Sequence, residues 1–453
     1  MSSIKMMRGV TQRLTHSSLL HFSARGFAKE VDAIEMEKQH TASLEKEKKM
    51  FVDYLLKKPS LPERREQYRD LYPHTVALYS AIQASKGDEM DGSYINFADE
   101  HIPPYLKKGI EKEMEACGNY LMLRPYAAEI IERMMFTVPG PINTPKQPYG
   151  IQVDTQEMKH DNLFLLSGHR GTGKTATLAT VASFAHQNNW AVLAVSMDMF
   201  TNDRLGYIVE SKTEKGIFEQ RLATRQFFEK NYPYMKDAFS KIQLQGDYSE
   251  INWQESLDDD WNPPANPDIL TRYNRMPFPD PQVIPRPSGV PTTAADLIAL
   301  GAWRGDLAHF IMKALIFEMQ YTRDVPCLIA IDNINAADQI TAFKHPQRLT
   351  KLVGHRLSVP HALLNSLTVT PAYGMTVMAT SSKYTMKNID DYIYRAGRNL
   401  VVGGYNMKEM QCALEHYSVS RFTHVPLDVT LLRGLESLTG RVPEDLRKWC
   451  TFN

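Results

Sequence analysis

The sequence predicts an α/β fold in which a parallel sheet is flanked by helices. A short apolar strand leads through a glycine turn into an amphipathic helix at residues 163–185, and a second buried-type strand follows at residues 190–196. A strand, a helix and a strand at this spacing form a βαβ unit, which requires parallel strands joined by right-handed crossovers. Two later apolar runs, at residues 325–332 and 374–382, extend the same sheet.

The 453 residues suffice for two or three domains, or for one large domain with appendages. Lys+Arg and Asp+Glu each number 52, so the formal net charge is zero, whereas proteins that mainly coat nucleic acid are usually basic. Zero net charge does not exclude contact with RNA through local basic patches. The widely spaced cysteines include no C-x-x-C pair, which favours reduced thiols in an intracellular compartment. No apolar run approaches the ~20 residues that span a bilayer.

Residues 1–29 predict a mitochondrial transit peptide. They contain five Lys or Arg residues and several serines, with apolar residues at roughly helical spacing and no acid before Glu30. This basic, acid-poor composition is typical of such segments and predicts the mitochondrial matrix, with processing near Phe27. A disordered basic N-terminus is the alternative. A secretory signal is disfavoured because the segment has no uninterrupted apolar core.

Residues 30–118 predict an N-terminal helical extension. Its first half is dense in Glu, Lys and Met, which is typical of a solvated helix or a partner-binding arm, and Pro59 stops it. The main α/β domain is predicted at residues 119–400. It begins with a helix over residues 119–136 that has Pro125 at its start.

The glycine turn carries a complete G-x-x-x-x-G-K-[ST] pattern. Glycines let successive N–H groups point at phosphate oxygens, and the following helix directs its positive end at the same anion. Lys174 would reach the β- and γ-phosphates, and the Thr175 hydroxyl would ligate Mg²⁺. A chance match is disfavoured because a strand precedes the pattern and a helix follows it. The predicted nucleotide-binding residues are Gly168, His169, Arg170, Gly171, Thr172, Gly173, Lys174 and Thr175.

Residues 204–245 are predicted to be largely helical, and a proline-rich insert follows at residues 246–292. The insert contains nine prolines, which remove backbone donors and fix φ, and so suits an extended surface arm. The insert is either a docking arm or a flexible segment without a binding role, since irregular inserts of this length are usually functional or disordered. A single helix is then predicted from Thr293 to about Thr322.

Asp332 ends the apolar run at residues 325–332, which places a carboxylate at the C-terminal tip of a buried strand. Ligands of open parallel sheets bind at that edge, so Asp332 is the predicted partner of Thr175 in holding Mg²⁺. The alternative is that Asp332-Asn333 only starts a turn. The polar end of the next strand, Ser381 and Ser382, would sit beside the γ-phosphate.

Residues 401–453 predict a small helical lid. Pro443 is placed as a helix-start proline, and Arg447 on that last helix resembles the phosphate-sensing arginine of AAA+ lids. A surface arginine on a terminal helix is the alternative. Together these elements predict a P-loop NTPase fold of the AAA+/STAND-like type.

The order of the motifs resembles the death-associated protein 3 family, whose members are GTP-binding proteins of the small subunit of the mitochondrial ribosome. The resemblance covers roughly residues 118–210 and 310–453. It is carried by MLRPYAAEII (122–131), GHRGTGKT (168–175), AIDNINA (330–336), YNMKEM (405–410) and LTGRVPEDLRKWC (438–450).

The resemblance implies GTP or GDP with Mg²⁺ as the cofactors, and small-subunit ribosomal proteins and rRNA as the partners. Intersubunit contacts are a further option. No N-K-x-D run selects guanine, so ATP stays an alternative. Vigorous AAA+-like ATPases place a glutamate after the strand-terminal aspartate, and here Asn333, which is no general base, occupies that position.

We therefore expect a weak or absent GTPase and a nucleotide held mainly for structure. Neither Asn333 nor Arg447 is more than a weak catalytic candidate. The alternatives are a free mitochondrial AAA+-like ATPase or remodelling enzyme and, with less support, an apoptosis-related signalling switch.

Overall fold

A computed structural model gives the fold. The residues that it describes are 93–135, 137, 160–201, 208–211, 214–249, 279–305, 307–346, 348–366, 370–384, 396–423 and 429–452. The predicted transit peptide, most of the N-terminal extension and the centre of the proline-rich insert lie outside these residues. The described residues belong to one compact unit of the chain, residues 61–453.

The elements are numbered in chain order. The strands are β1 (Ser93–Asn96), β2 (Tyr120–Leu123), β3 (His160–Ser167), β4 (Ala191–Ser196), β5 (Val209–Glu210), β6 (Phe218–Glu219), β7 (Cys327–Asp332), β8 (Ile340–Lys344), β9 (Lys351–Val353), β10 (Gly374–Ala379) and β11 (Ala396–Val401). The α-helices are α1 (Pro104–Cys117), α2 (Pro125–Met135), α3 (Lys174–Gln187), α4 (Asp198–Thr201), α5 (Arg221–Phe239), α6 (Ala294–Trp303), α7 (Ala308–Tyr321), α8 (Ser358–Ser366), α9 (Met407–Val419), α10 (Val429–Thr439) and α11 (Pro443–Phe452).

A five-stranded sheet in the order β11-β3-β10-β7-β4 forms the centre of the fold, and all of its pairings are parallel. Every residue of β7 and β10 is buried. Strands that are covered on both faces consist of near-continuous hydrophobic residues, which is why their sequences show no alternation. The predicted α/β fold, with a parallel sheet flanked by helices, is confirmed and is P-loop NTPase-like.

The strand order brings the two predicted site segments to one edge of the sheet. β10 pairs with both β3 and β7, so it separates them by one strand. Because all three strands are parallel, the carboxyl ends of β3 and β7, at Ser167 and Asp332, lie at the same edge. α3 leaves this edge and packs along β4, β7 and β10, with α1 and α2 beside it.

The predicted single helix from Thr293 to Thr322 is wrong, because the chain forms two helices there. A capping box between Thr293 and Asp296 starts α6. The helix ends at Trp303, since Arg304 has φ −114° and ψ 88°, outside the helical region. Gly305 follows at once, and glycine has one of the lowest helix propensities. The apolar periodicity that continues into α7 conceals this break.

The predicted helix over residues 119–136 begins at Pro125, as expected, but the residues before it form a strand. β2 pairs antiparallel with β1, with Ser93 opposite Leu123. This partner lies in the predicted extension, on the other side of the boundary predicted at residue 118, and local periodicity does not identify it. The boundary itself stays a prediction. The segment predicted as helical at residues 204–245 contains α5 and two short strands, β5 and β6, which pair with each other.

The C-terminal helices α9, α10 and α11 form the predicted small helical region, and α11 begins at Pro443 as expected. They share a second hydrophobic core with β1, α1 and β2. Its buried members are Tyr94, Ala116, Cys117, Met122, Tyr405, Met410, Ala413, Leu414, Tyr417, Leu435, Leu446 and Cys450. Among the described helices, none combines the length and apolar character needed to cross a bilayer.

Both ends of the proline-rich insert are fixed to the domain. Leu244 N–H donates to Thr292 O at 3.1 Å, which joins the two ends. The fully buried Glu318 carboxylate accepts from the N–H groups of Gln245 and Gly246 at 2.8 and 2.9 Å, and from the Tyr248 hydroxyl at 2.7 Å. Whether the insert is a docking arm stays a prediction, since its centre lies outside the described residues.

Candidate nucleotide-binding site

The site is built on the glycine loop, residues 168–173, which joins β3 to α3. Gly168, Gly171 and Gly173 have φ of 133°, 75° and 90°, values that L side chains rarely adopt. A β carbon at Gly168 would also lie 2.3 Å from the carbonyl oxygen of Val402. The glycines of the motif are therefore required by this backbone, which supports the motif's assignment to a tight turn.

The glycine loop ends at an uncapped helix. Gly173 is the N-cap of α3, and in the described part of the chain this position has no side-chain capping hydrogen bond. The first N–H groups of a helix have no intrahelical acceptor, and the helix dipole is positive there, so an anion is stabilised at this end. His169 and Arg170 are exposed on the loop, whereas Thr172 is buried and donates to His169 O at 3.0 Å.

Lys174 holds its ammonium group over the glycine loop. Its Nζ donates to the carbonyl oxygens of Gly168 at 2.9 Å and of His169 at 2.6 Å. An ammonium has three donors, so these two bonds leave one N–H for a ligand. Burial lowers the pKa of Lys174, and the nearby Asp332 carboxylate opposes that shift. The loop thus contains a partly desolvated positive charge, which strengthens its attraction for phosphate.

The two predicted metal ligands lie side by side. The Thr175 hydroxyl donates to Asp332, with Oγ1 at 3.2 Å from each carboxylate oxygen. Asp332 is only 3% exposed. Burial raises its pKa to about 7, with the Thr175 hydrogen bond lowering it and the charge of Asp198 raising it further. A divalent cation would favour the ionised carboxylate, because metal ligands must be deprotonated.

The oxygen atoms of Thr175 and Asp332 fit Mg²⁺ better than a metal whose ligands must all come from the protein. Within the described ranges, no group of three or more His, Cys, Asp and Glu side chains is placed to hold a metal ion. Mg²⁺ usually takes one or two protein oxygens and completes its octahedron with water and substrate phosphates. Thr175 Oγ1 and Asp332 would supply those protein oxygens next to the glycine loop.

Asn333 follows Asp332 in the left-handed conformation, with φ 56°. Its Nδ2 donates to Asp332 Oδ2 at 3.1 Å and to Ser196 Oγ at 3.3 Å. The amide therefore positions the carboxylate and offers no basic atom to water. Asn335 fixes the end of β10 in a similar way, accepting from Ser381 N at 2.8 Å and donating to Ser381 O at 2.7 Å.

The ion-pair contact of Arg447 is with α1 and not with the glycine loop. Its Nε lies 4.0 Å from Glu113 Oε2 on α1, and its side chain is 12% exposed. α11 reaches the glycine loop through its first turn instead, where Glu444 N–H donates to Gly171 O at 3.1 Å. Glu444 Oε2 also lies 3.9 Å from Arg170 Nε. The phosphate-sensing role of Arg447 stays a prediction.

Arg124 is a residue of the site region to which the sequence analysis gave no role. It is 4% exposed and its Nη1 donates to Thr172 O in the glycine loop at 2.6 Å. Its Nε donates to Glu409 Oε1 on α9 at 3.2 Å, and its Nη2 to the carbonyls of Gly403 and Gly404. One buried guanidinium thus joins the glycine loop to the C-terminal helices. An arginine inside the otherwise apolar MLRPYAAEII segment was the available signal.

Gly109 on α1 is a second residue of the site region to which the sequence assigns no role. A β carbon there would lie 2.7 Å from Thr175 Cγ2 and 3.8 Å from Asp332 Oδ2. α1 therefore forms a wall of the candidate cation site, and a glycine inside a helix was the only signal for it in the sequence.

The fold and the site define an α/β protein of the P-loop NTPase-like class. The family model for the mitochondrial ribosomal death-associated protein 3 matches residues 151–394, which is more than half of the chain. The chain belongs to this family of mitochondrial ribosomal proteins, as the motif resemblance predicted, and it therefore functions in mitochondria with ribosomal partners. No curated protein matches the chain.

Proposed function

We propose that this protein is a structural component of the small subunit of the mitochondrial ribosome, in the matrix, that holds GTP or GDP with Mg²⁺ and hydrolyses it slowly or not at all. The observation that carries the proposal is the contact of Thr175 Oγ1 with Asp332, 3.2 Å to each oxygen, directly beside the glycine loop. The two residues are 157 positions apart in the chain, yet they meet at the one edge where a nucleotide-bound cation belongs.

In this proposal each group has a separate role. The glycine loop and the N-terminus of α3 bind the β-phosphate, Lys174 neutralises the phosphate charge, and Thr175 and Asp332 hold the cation. Guanine is favoured over adenine by the family resemblance alone. ATP is therefore the comparison nucleotide in every test.

Slow hydrolysis follows from the chemistry at Asn333. The position that would orient the attacking water carries an amide that already donates to Asp332 and Ser196. Loss of a positioned general base commonly costs about 10²–10⁴-fold in rate. Bound GTP would then stay unhydrolysed for as long as it remains in the site.

A structural role for the nucleotide follows from where the glycine loop lies. The loop contacts the C-terminal helices through Arg124 and through the first turn of α11. A ligand at roughly 100 times its dissociation constant adds about 2.7 kcal/mol to stability, a large share of the stability of a typical fold. A nucleotide that orders the glycine loop would in turn order Arg124 and the first turn of α11, which contact the loop.

Thermal unfolding of the full-length protein with GTP, GDP or ATP, each with Mg²⁺ or with EDTA, tests the proposal. We expect a guanine nucleotide with Mg²⁺ to raise the melting temperature. Lys174→Ala should abolish the increase, while Lys215→Ala, at an exposed lysine, should keep it. An unchanged melting temperature in the wild-type protein, or an equal response of both variants, would exclude the site.

Two further measurements test the other parts of the proposal. Turnover of several GTP per second by the isolated protein would contradict a holding role. Sedimentation of mitochondrial lysate separates the two functional alternatives, because a ribosomal component migrates with the small subunit and a remodelling ATPase migrates as a free hexamer.

A further inference from the structure

The basic hairpin, β8 and β9 with their connecting turn at residues 340–353, is a concentrated positive patch on a chain of zero net charge. No Asp or Glu occurs between Asp338 and Asp390. Lys344, Arg348 and Lys351 lie within the hairpin and Arg356 follows it, and all four are exposed. In the described part of the chain, none of the four has a carboxylate partner within ion-pair distance, in contrast to Arg124 and Arg170 at the glycine loop.

Only one face of the basic hairpin is anchored. Thr341, Phe343 and Leu352 are buried, and Phe343 and Leu352 pack in a small core with Phe218 and Leu357. The opposite face is exposed and includes Ile340, at 69%, and both lysines. One face of the hairpin therefore packs against the domain, while its charged face is exposed in the part of the chain that the structure describes.

Lys344 and Lys351 stand directly opposite each other in the ladder. Side chains of such a pair have β carbons about 4.5–5.5 Å apart, and like charges at this position destabilise a hairpin. Folding alone therefore gives no reason for this pair. A bound polyanion does, because it turns the repulsion between the two ammonium groups into attraction for itself.

We infer that the basic hairpin binds the phosphate backbone of ribosomal RNA. The ribosomal setting supplies the polyanion, and this is the only part of the proposed function on which the inference rests. No aromatic ring is exposed on the charged face, and the His345 ring packs edge-on against Phe218. The contact is therefore with phosphates rather than stacked bases, and it reads no sequence.

Two exposed apolar side chains favour an extended partner over dissolved anions. Ile340 and Leu349 are 69% and 72% exposed and flank the cations. A free phosphate ion covers neither of them, whereas an RNA strand laid along the hairpin covers both with its sugars.

Binding of a labelled RNA duplex to the full-length protein, followed by anisotropy over a range of salt concentrations, tests the inference. The hairpin variant is Lys344→Gln/Arg348→Gln/Lys351→Gln. The matched control, Lys230→Gln/Lys236→Gln/Lys241→Gln, removes the same charge from exposed lysines on and just after α5. We expect the hairpin variant to bind about 10–100-fold more weakly, with the slope of log K against log salt reduced by roughly 2–3, and the control to bind as the wild type does.

Lys344→Arg/Lys351→Arg keeps the charge and should keep the binding. Equal losses in the hairpin variant and the control would show that only bulk charge matters and would overturn the inference. So would unchanged RNA binding in a hairpin variant that fails to enter the small subunit, since the face would then contact a protein. GTP–Mg²⁺ thermal shifts of the hairpin variant separate this result from a failure of the nucleotide proposal, because they should equal those of the wild type.

Discussion

Gly109 on α1 packs directly against Thr175 on α3. The space that a β carbon would need at position 109 is taken by Thr175 Cγ2, 2.7 Å away. The methyl group in this position leaves the Thr175 hydroxyl directed at Asp332. A helix that precedes the family match thus sets the orientation of a candidate metal ligand.

Gly109→Ala should therefore weaken Mg²⁺-dependent nucleotide binding. The added methyl group must displace Thr175 Cγ2, and rotation of that side chain turns the hydroxyl away from Asp332. We expect the affinity for nucleotide with Mg²⁺ to fall about tenfold or more, as for other residues that orient metal ligands, and the affinity in EDTA to be unchanged. Titration calorimetry under both conditions measures the difference.

Gly434→Ala is the matched control for this change. Gly434 also lies inside a helix, α10, but among the described residues no atom other than its chain neighbours and the backbone of its own helix lies within 4 Å of its added β carbon. The variant should gain about 0.5–1 kcal/mol of stability from helix propensity and keep its nucleotide affinity. If the two alanine variants respond alike to Mg²⁺, Gly109 does not position Thr175.

Arg124→Ala should strongly destabilise the protein. The change leaves the buried Glu409 carboxylate and the Thr172 carbonyl without their guanidinium donor. Removal of one partner of a buried ion pair costs about 3–5 kcal/mol. Arg124→Lys should recover only part of this loss, because an ammonium cannot reproduce the several directed bonds of the planar group. Urea unfolding measures both.

Arg398→Ala serves as the matched control for Arg124→Ala. Arg398 pairs with Glu129 at 2.8 Å but is 53% exposed. Pairs of this kind contribute about 0–1 kcal/mol. A loss in Arg124→Ala no larger than that of the control would mean that the guanidinium does not link the glycine loop to α9.

Glu415→Gln should stabilise the protein at alkaline pH. Burial raises the pKa of Glu415 from 4.5 to about 7, and its Oε1 has no hydrogen-bond partner in the described residues. The folded state then binds the proton more tightly than the unfolded state does. The contribution of this group to stability therefore falls as the pH rises from 4.5 to about 7, and stays low above that.

Glutamine cannot ionise and avoids this loss. The gain of Glu415→Gln in the free energy of unfolding should be near zero at pH 4. It should grow as the pH rises from 4.5 to about 7 and reach roughly 3 kcal/mol at most at pH 8. Urea unfolding at a series of pH values gives the profile. Glu436→Gln, at a glutamate whose side chain is 39% exposed, is the surface control for removal of a carboxylate. A flat profile for Glu415→Gln would refute the raised pKa.

The sequence predicted those parts of the molecule that depend on local pattern. Continuous apolar runs identified β7 and β10, and the glycine spacing identified the loop whose φ values require glycine. The pairing of Thr175 with Asp332 was predictable because parallel strands place their carboxyl ends together.

Features that depend on distant partners were missed. Arg124 acts through Thr172, 48 residues away, and Glu409, 285 residues away, and no local periodicity reports such contacts. Local pattern predicts a helix for the residues of β2, because the partner strand β1 lies before α1 and does not enter that pattern. The split between α6 and α7 was hidden because the apolar stripe continues across Arg304 and Gly305.

The ion pair between Arg124 and Glu409 has a consequence for folding of the chain during its synthesis. During synthesis the guanidinium leaves the ribosome 285 residues before the carboxylate that neutralises it. Until then the arginine cannot enter its buried position without the cost of an unpaired charge, and contacts across such a separation form slowly. A nascent or prematurely terminated chain that lacks α9 therefore contains Arg124 without the carboxylate that pairs with it in the folded protein.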